Sequence, residues 1–166
     1  MREVSLAILD VAQNSIDASA KLICISVLEK DGLLSFTVTD DGCGMSADKL
    51  AMAMQRGVSF KGSTGLGLAL LSEETAECCG KFKITSQEGV GTTVFASYAA
   101  SKAKLGDMGA TFTALVDEGY DVVLTLQRGE KIQRYDTREL KSSFGVAKLQ
   151  SLGALRLIRE DINQNN

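Results

Sequence analysis

The pattern of apolar and polar positions predicts an ordered series of helices and strands from the first residues onward. Residues 2–18 repeat apolar side chains at intervals of three and four, which predicts an amphipathic helix. Residues 22–28 are almost continuously apolar and residues 33–39 alternate, which predicts two strands. Asp31 and Gly32 lie between these strands and predict a tight hairpin turn.

The next segment returns to helices and then to strands. After a polar loop at 40–45, residues 56–65 lack any periodicity and contain several glycines, which predicts a mobile loop. Gly80 is the expected C′ residue that ends the last helix of this segment. The predicted elements are helices over 46–55 and 66–79, followed by strands over 82–87 and 92–99.

Residues 101–166 form a C-terminal extension with a pattern of their own. They predict a helix near 107–117, a hairpin over 121–135 that turns on Arg128-Gly129, and helices over 137–144 and 151–163. Short connections between neighbouring strands make those strands antiparallel. The predicted fold class is therefore α+β, a two-layer sandwich of a mixed, mostly antiparallel sheet with helices on one face. Residues 1–100 form the predicted main domain, and packing of the extension as one unit with it stays open.

Composition narrows the function classes. The chain has 166 residues, 18 basic and 21 acidic side chains and a formal charge of −3, which does not favour nucleic acid or a membrane as a partner. It contains no histidine, which excludes histidine-based triads, metal ligands and phosphoacceptors within this chain. Its four cysteines form no CxxC pair, so reduced thiols and a cytoplasmic location are expected.

The first predicted helix carries one polar stripe. Glu3, Asp10, Asn14 and Asp17 are separated by seven, four and three residues, so they share a narrow face. A solvated face explains such a stripe. The alternative is a site in which the Asn14 oxygen meets a hydrated divalent cation and Asp10 orients water, because magnesium favours oxygen ligands completed by phosphates.

An Asp- and Gly-rich loop follows the second strand. Asp40 stands at the strand end, Gly42 and Gly44 follow it, and Met45 closes the loop. A simple turn explains this composition. The alternative is a nucleotide loop, in which Asp40 accepts from an exocyclic amine such as that of adenine, the glycines allow close backbone approach, and Met45 contacts a flat ring.

Residues 61–70 contain a second glycine-rich loop that leads into the predicted helix over 66–79. Gly65, Leu66 and Gly67 lie where a helix begins, and free backbone N–H groups at such a terminus bind anions. The order of lysine and glycines differs from a Walker loop and from a dinucleotide fingerprint. Tight packing of a helix terminus through glycine is the alternative explanation.

Taken in order, these three motifs resemble those of the GHKL superfamily, which includes gyrase B, large heat-shock chaperones, histidine kinases and MutL mismatch-repair ATPases. Residues 10–18 resemble its N box, residues 40–44 its G1 box and residues 65–70 the G2 box of histidine kinases. Residues 89–93 resemble the turn and strand that close the kinase-type module. The resemblance covers about residues 1–99.

The resemblance implies ATP or ADP and Mg²⁺ as ligands. By this likeness Asn14 coordinates magnesium, Asp40 binds the adenine amine with Gly42 and Gly44 around it, and Gly65, Leu66 and Gly67 meet the phosphates. Residues 46–64 would form the lid over ATP, Lys61 would approach a terminal phosphate, and Thr92 would reach the adenine edge through water.

The sequence departs from this family at one position that bears on catalysis. Asp10 stands where family ATPases commonly have glutamate, so its carboxyl is one methylene shorter, and it is the candidate catalytic residue. We therefore expect an ATP- and Mg-binding regulatory module, histidine kinase-like or anti-sigma-kinase-like, whose nucleotide state controls binding of a protein partner. Phosphoryl transfer, hydrolysis and homodimerisation stay open. The alternative is a non-catalytic nucleotide-binding or scaffold protein that acts through its extension.

Overall fold

The computed structural model describes residues 1–55 and 67–164. The helices described are α1 (Val4–Asp17), α2 (Ala47–Ala53), α3 (Gly67–Glu77), α4 (Met108–Ala114), α5 (Thr137–Phe144), α6 (Val146–Leu149) and α7 (Leu152–Asn163). The strands described are β1 (Arg2–Glu3), β2 (Leu22–Lys30), β3 (Leu33–Asp40), β4 (Phe82–Gln87), β5 (Gly91–Ala99), β6 (Ala103–Lys104), β7 (Asp121–Arg128) and β8 (Lys131–Asp136).

Six strands form one sheet in the order β4-β5-β3-β2-β7-β8. Strands β2 and β7 pair in parallel, and the other neighbours in this sheet pair antiparallel. The fold is therefore α+β with a mixed, mostly antiparallel sheet, as the sequence predicted. The hairpin of the C-terminal extension continues this sheet at β2, on the side away from β4 and β5.

The hydrophobic core lies between the sheet and the helix layer. Alternate residues of β2, β3, β5 and β7 point into it, and α1, α3 and α4 cover them. Helix α7 packs on α4 and buries Ile162 in the same cluster. Apolar burial of this kind is the main favourable term in folding. Core side chains therefore come from both residues 1–100 and the extension. Within the described ranges, no helix has the length and apolar character needed to span a membrane.

Local boundaries differ from the predictions at several places. Arg2 and Glu3 form the short strand β1, paired with β6, where the predicted helix began at residue 2. The hairpin turn falls on Gly129-Glu130, because Arg128 still pairs with Lys131 within the ladder. The short helix α6 and strand β6 were not predicted.

The end of α3 also differs from its prediction. Cys79, with φ +56°, is the left-handed residue after the helix, and Gly80 follows it. The Gly80 N–H donates to Thr75 O at 2.7 Å, which closes the helix end. Glycine is required at 80 for another reason, since a Cβ there would overlap the Ser97 carbonyl oxygen.

Candidate functional site

Asp40, the last residue of β3, holds its carboxylate between α1 and the loop after the strand. Its Oδ2 accepts from the Ser15 hydroxyl at 2.6 Å, and its Oδ1 accepts from the Gly42 N–H at 2.9 Å. A carboxylate has acceptor sites for about four donors. Asp40 therefore retains acceptor capacity after both of these hydrogen bonds are counted.

Asp41 has a different task from its neighbour. Its Oδ1 accepts from the backbone N–H groups of Lys21 and Leu22, at 2.8 and 2.9 Å, where β2 begins. These hydrogen bonds, that from Leu22 foremost, lower the pKa of the Asp41 carboxyl below its usual range. Asp41 secures the start of β2, which leaves Asp40 as the carboxylate that faces α1.

The glycines of the loop are required by close packing against neighbouring backbone. A Cβ on Gly42 would lie 2.9 Å from both the Cβ and the carbonyl oxygen of Ala18, at the end of α1. Gly44 has φ +63°, and a Cβ there would overlap the Gln87 carbonyl oxygen. Between them, the Cys43 N–H donates to Ala18 O at 2.9 Å. The loop is therefore fixed between α1 on one side and the end of β4 on the other.

Met45 and Thr92 are joined by a residue that the sequence analysis did not select. The Ser86 hydroxyl accepts from the Met45 N–H at 2.8 Å and lies 2.8 Å from the Thr92 hydroxyl. Ser86 and Thr92 are register partners on β4 and β5, and Thr92 is in turn the register partner of Asp40. Strand alternation thus places Ser86, Thr92 and Asp40 on the same face of the sheet.

Asn14 lies on the side of α1 away from α4. Ser5 lies on the side of α1 that faces the start of α4. A Cβ on Gly106, just before α4, would overlap the Ser5 hydroxyl oxygen. Nine residues separate Ser5 from Asn14, which turns the side chain by about 180° around the helix axis. Asn14 therefore points away from α4; helix α1 also contacts α3.

Asp10 and Asn14 are available to a ligand from this face. The Asn14 amide is half-buried and makes no hydrogen bond within residues 1–55 and 67–164. Asp10, one turn earlier, lies at the surface, and partial desolvation by neighbouring atoms raises the pKa of its carboxyl. A raised pKa favours proton acceptance nearer neutral pH.

Helix α3 begins toward the same edge of the sheet as Asp40. Its far end is fixed by Arg2, which pairs with Glu74 at 2.9 Å, and by Cys78 O, which accepts from the N–H of Ala99 at the end of β5. Thr92, at the opposite end of β5, is about 23 Å from Ala99 at strand spacing. Because α3 packs along β4 and β5, its first residue Gly67 lies toward the Asp40 edge.

The structure thus brings Asp40, Gly42, Gly44, Met45 and Thr92 together and places Asn14 on the adjoining helix face. Three further predicted site residues, Lys61, Gly65 and Leu66, lie outside the described residues, as does the predicted loop over 56–65. A Cβ on Gly67 would meet no described atom within 4 Å, so packing against the described residues does not require glycine there. No group of three or more acidic or thiol side chains in the described ranges is placed to hold a metal ion.

The sequence of this chain matches a known family over its predicted main domain. Residues 2–102 match the sequence model of the family described as histidine kinase-, DNA gyrase B-, and HSP90-like ATPase. The chain belongs to this ATPase family. Its membership covers the segment that contains all the predicted nucleotide-site residues, from Asp10 to Thr92.

Two kinds of curated protein share local sequence with this chain. The DNA mismatch repair protein MutL of Rhizorhabdus wittichii is 44% identical over 55 residues, which is 33% of this chain and 9% of MutL. The sensor histidine kinase DcuS of Escherichia coli is 35% identical over 74 residues, 44% of this chain and 14% of DcuS. The chain therefore spans only a small part of the length of these relatives.

A solved structure shares the fold. The N-terminal domain of a DNA repair protein superposes with a TM-score of 0.52 at 15% identity, over 89% of this chain and 58% of that one. The superposition extends beyond residue 102, so it includes part of the C-terminal extension. At this identity the likeness concerns the fold alone.

Sequence reasoning missed the supporting residues of the site. Ser15 lies one position after Asn14 and turns to the buried side of α1, where it reaches Asp40. Ser86 could have been found from strand alternation, because it falls on the same face of β4 as the apolar residues Phe82 and Ile84. The pairing of Ser86 with Thr92 depends on the register of two strands, which the sequence pattern does not determine.

Proposed function

We propose that this chain is an ATP- and Mg-binding regulatory module whose nucleotide state controls its affinity for a protein partner. One observation carries the proposal: Ser15, the neighbour of Asn14 on α1, donates to the Asp40 carboxylate at 2.6 Å, so α1 and the end of β3 meet at this edge of the sheet. Family membership supports nucleotide binding, and the geometry supports the choice of residues proposed to carry it.

The adenine end of the site is formed by Asp40, Met45 and Thr92. Asp40 retains acceptor capacity for an exocyclic amine, since its two protein donors leave other lone pairs free. Met45 would supply apolar contact to the ring, and Thr92 would supply a hydroxyl beside Asp40. These three groups fit a purine that presents an amine donor.

The phosphate end is formed by Asn14 and the first turn of α3. The Asn14 amide offers an oxygen ligand, and the first turn of the eleven-residue helix α3 has backbone N–H groups without intrahelical partners. Magnesium, when bound, would neutralise phosphate charge. Lys61, Gly65 and Leu66 belong to the same proposal through their positions in the sequence.

Control of a partner rests on the elements beside the nucleotide site. Helix α2 follows Met45 directly and contacts β4, so nucleotide contacts at Met45 are coupled to the start of the predicted lid. DcuS is a sensor histidine kinase, and a kinase-like role is one form of the proposal. Asp10 as a catalytic residue, a homodimer and a cytoplasmic location stay predictions.

The substitution Asp40→Asn tests the proposal directly. It keeps the size of the side chain but replaces one acceptor oxygen with an amide donor, which opposes the adenine amine. At ATP about a hundredfold above Kd, binding stabilises a protein by about 2.7 kcal/mol. For a chain of this size that corresponds to a rise of about 5 to 10 °C in melting temperature. We expect the native chain to show this rise with ATP and Mg²⁺, and Asp40→Asn to lose it.

The matched control is Asp31→Asn, at the opposite end of β3. Asp31 has φ +52° in the hairpin turn, where asparagine is equally tolerated. This variant should keep the full rise in melting temperature. An Asp40→Asn protein that responds to ATP as the native one does would refute the adenine assignment, and a native chain without any response would favour the scaffold alternative.

A further inference from the structure

One hydroxyl connects three segments of the candidate nucleotide site. The Ser86 Oγ, on β4, accepts from the Met45 N–H at 2.8 Å and lies 2.8 Å from the Thr92 hydroxyl and 3.2 Å from the Gly91 carbonyl oxygen. Met45 belongs to the loop after β3, and Gly91 and Thr92 begin β5. Ser86 therefore holds the loop and the strand at a fixed separation.

Thr92 lies between Ser86 and Asp40 in the sheet. Ser86, Thr92 and Asp40 occupy one cross-strand row on β4, β5 and β3, with their side chains on one face. Ser86 is on the edge strand, so Thr92 separates it from Asp40. Any influence of Ser86 on a base beside Asp40 therefore passes through the Thr92 hydroxyl.

The Ser86 hydroxyl has one proton and two acceptors for it. When this proton is donated to Gly91, the 2.8 Å contact requires Thr92 to donate to Ser86, and Thr92 offers only lone pairs to the site. When it is donated to Thr92, the Thr92 proton is free to point into the site. The bond to Gly91, at 3.2 Å, is the longer and weaker of the two, so the exchange costs little.

Adenine and guanine require opposite patterns at this point. Adenine places an amine donor beside the ring acceptor N1, whereas guanine places a carbonyl acceptor beside an N1–H donor. Asp40 as acceptor and Thr92 as donor match adenine and oppose guanine. A water between Thr92 and N1 preserves the match, because a water that accepts from Thr92 donates to the base.

We propose that Ser86 is a positioning residue for base recognition, which donates to Thr92 so that Thr92 donates toward adenine N1. This inference rests on the proposed function and deepens it. Without the Ser86 hydroxyl, the Thr92 hydroxyl rotates freely and the Met45 N–H loses its acceptor. The affinity for adenine nucleotides then falls. The difference in affinity between ATP and an analogue without the N1 acceptor becomes smaller as well.

The test measures binding by isothermal titration calorimetry for ATP and for 1-deaza-ATP, which lacks the N1 acceptor. The native chain should bind ATP about tenfold more tightly, which corresponds to about 1.4 kcal/mol. In Ser86→Ala this ratio should fall to about threefold or less. Ser86→Thr keeps the hydroxyl and should restore the native ratio. Because both ligands are measured on one variant, a general loss of stability cancels from the ratio.

Thr85→Ala is the matched control. Thr85 is the adjacent residue of β4, points to the opposite face and is exposed, so its loss should leave both affinities unchanged. A ratio in Ser86→Ala equal to the native one, while the native chain binds ATP, would overturn the role of Ser86 alone. A native chain that binds neither nucleotide would overturn both this inference and the proposed function.

Discussion

Asp40 and Asp41 are identical side chains at consecutive positions, yet their partners assign them different tasks. Asp41 is held by backbone N–H groups at the start of β2, whereas Asp40 is held by Ser15 and Gly42 and faces α1. Neighbouring residues of an extended segment point to opposite sides. At the residue scale, this alternation separates a structural carboxylate from a recognition carboxylate.

Asn14 yields a prediction at the same scale. Asn14→Ala removes the proposed oxygen ligand of magnesium, and loss of support for a bound metal typically lowers metal affinity about tenfold or more. ATP affinity should therefore fall about tenfold in Mg²⁺ and change little in EDTA, as measured by calorimetry. Gln13→Ala, at the exposed neighbouring position, is the control and should match the native chain under both conditions. Equal losses with and without Mg²⁺ would contradict the assignment.

The loop after β3 acts as a spacer between elements. It packs against the end of α1 through Gly42 and Cys43 and against the end of β4 through Gly44. These contacts fix the position of α1, which carries Asn14, relative to the strands that carry Asp40 and Thr92. At the element scale, the glycines serve this packing because only they permit such close approach of two backbones.

Gly44→Ala should therefore damage the site as well as the fold. A side chain at φ +63° costs about 1 to 2 kcal/mol, and the Gln87 carbonyl would have to move as well. We expect urea denaturation to show a loss of more than about 2 kcal/mol, with loss of stabilisation by ATP. Gly32→Ala, at φ +76° with no atom within 4 Å of the added Cβ, should lose only about 1 to 2 kcal/mol and keep ATP binding. Similar losses in both variants would show that steric contact at Gly44 does not matter.

The C-terminal extension shares a sheet and a core with the first hundred residues. Its strand β7 pairs in parallel with β2 along eight residue pairs, and Leu124 and Leu126 of β7 are fully buried. Strand β2 begins beside Asp40, so the extension supports the strand that borders the site. At the scale of the whole molecule, we predict that both parts unfold as one cooperative unit.

Leu124→Ala tests this prediction. Truncation of a fully buried leucine lowers the free energy of unfolding by about 2 to 5 kcal/mol. In a cooperative unit, this loss of stability should be equal in both parts. Hydrogen exchange followed by peptide mass spectrometry should show lower protection in β3 and β5 as well as in β7. Leu152→Ala, at a side chain that is 88% exposed, should change stability by less than about 0.5 kcal/mol. Loss of protection confined to residues 101–164 would indicate two independent units.

Much of the local structure could be predicted because it depends on short-range periodicity. The alternation in β3, the helical period of α1 and the turn at Asp31-Gly32 are each contained within a few neighbouring residues. The left-handed residue that follows α3 was expected at Gly80 and lies at Cys79, because Cys79 accepts a conformation that usually favours glycine. The strands β1 and β6 were missed because each is two residues long and exists only through its partner.

The sequence by itself determined the elements of the main domain and the residue types of the site, since periodicity and motif spacing are local properties. Tertiary structure alone decided that β7 pairs with β2, that Ser15 donates to Asp40, and that the Ser86 and Thr92 hydroxyls are in contact. The first two of these contacts join residues far apart in the chain, and all three depend on strand order, register and packing. Strand order, register and packing result from the burial of one common core, which no single segment encodes.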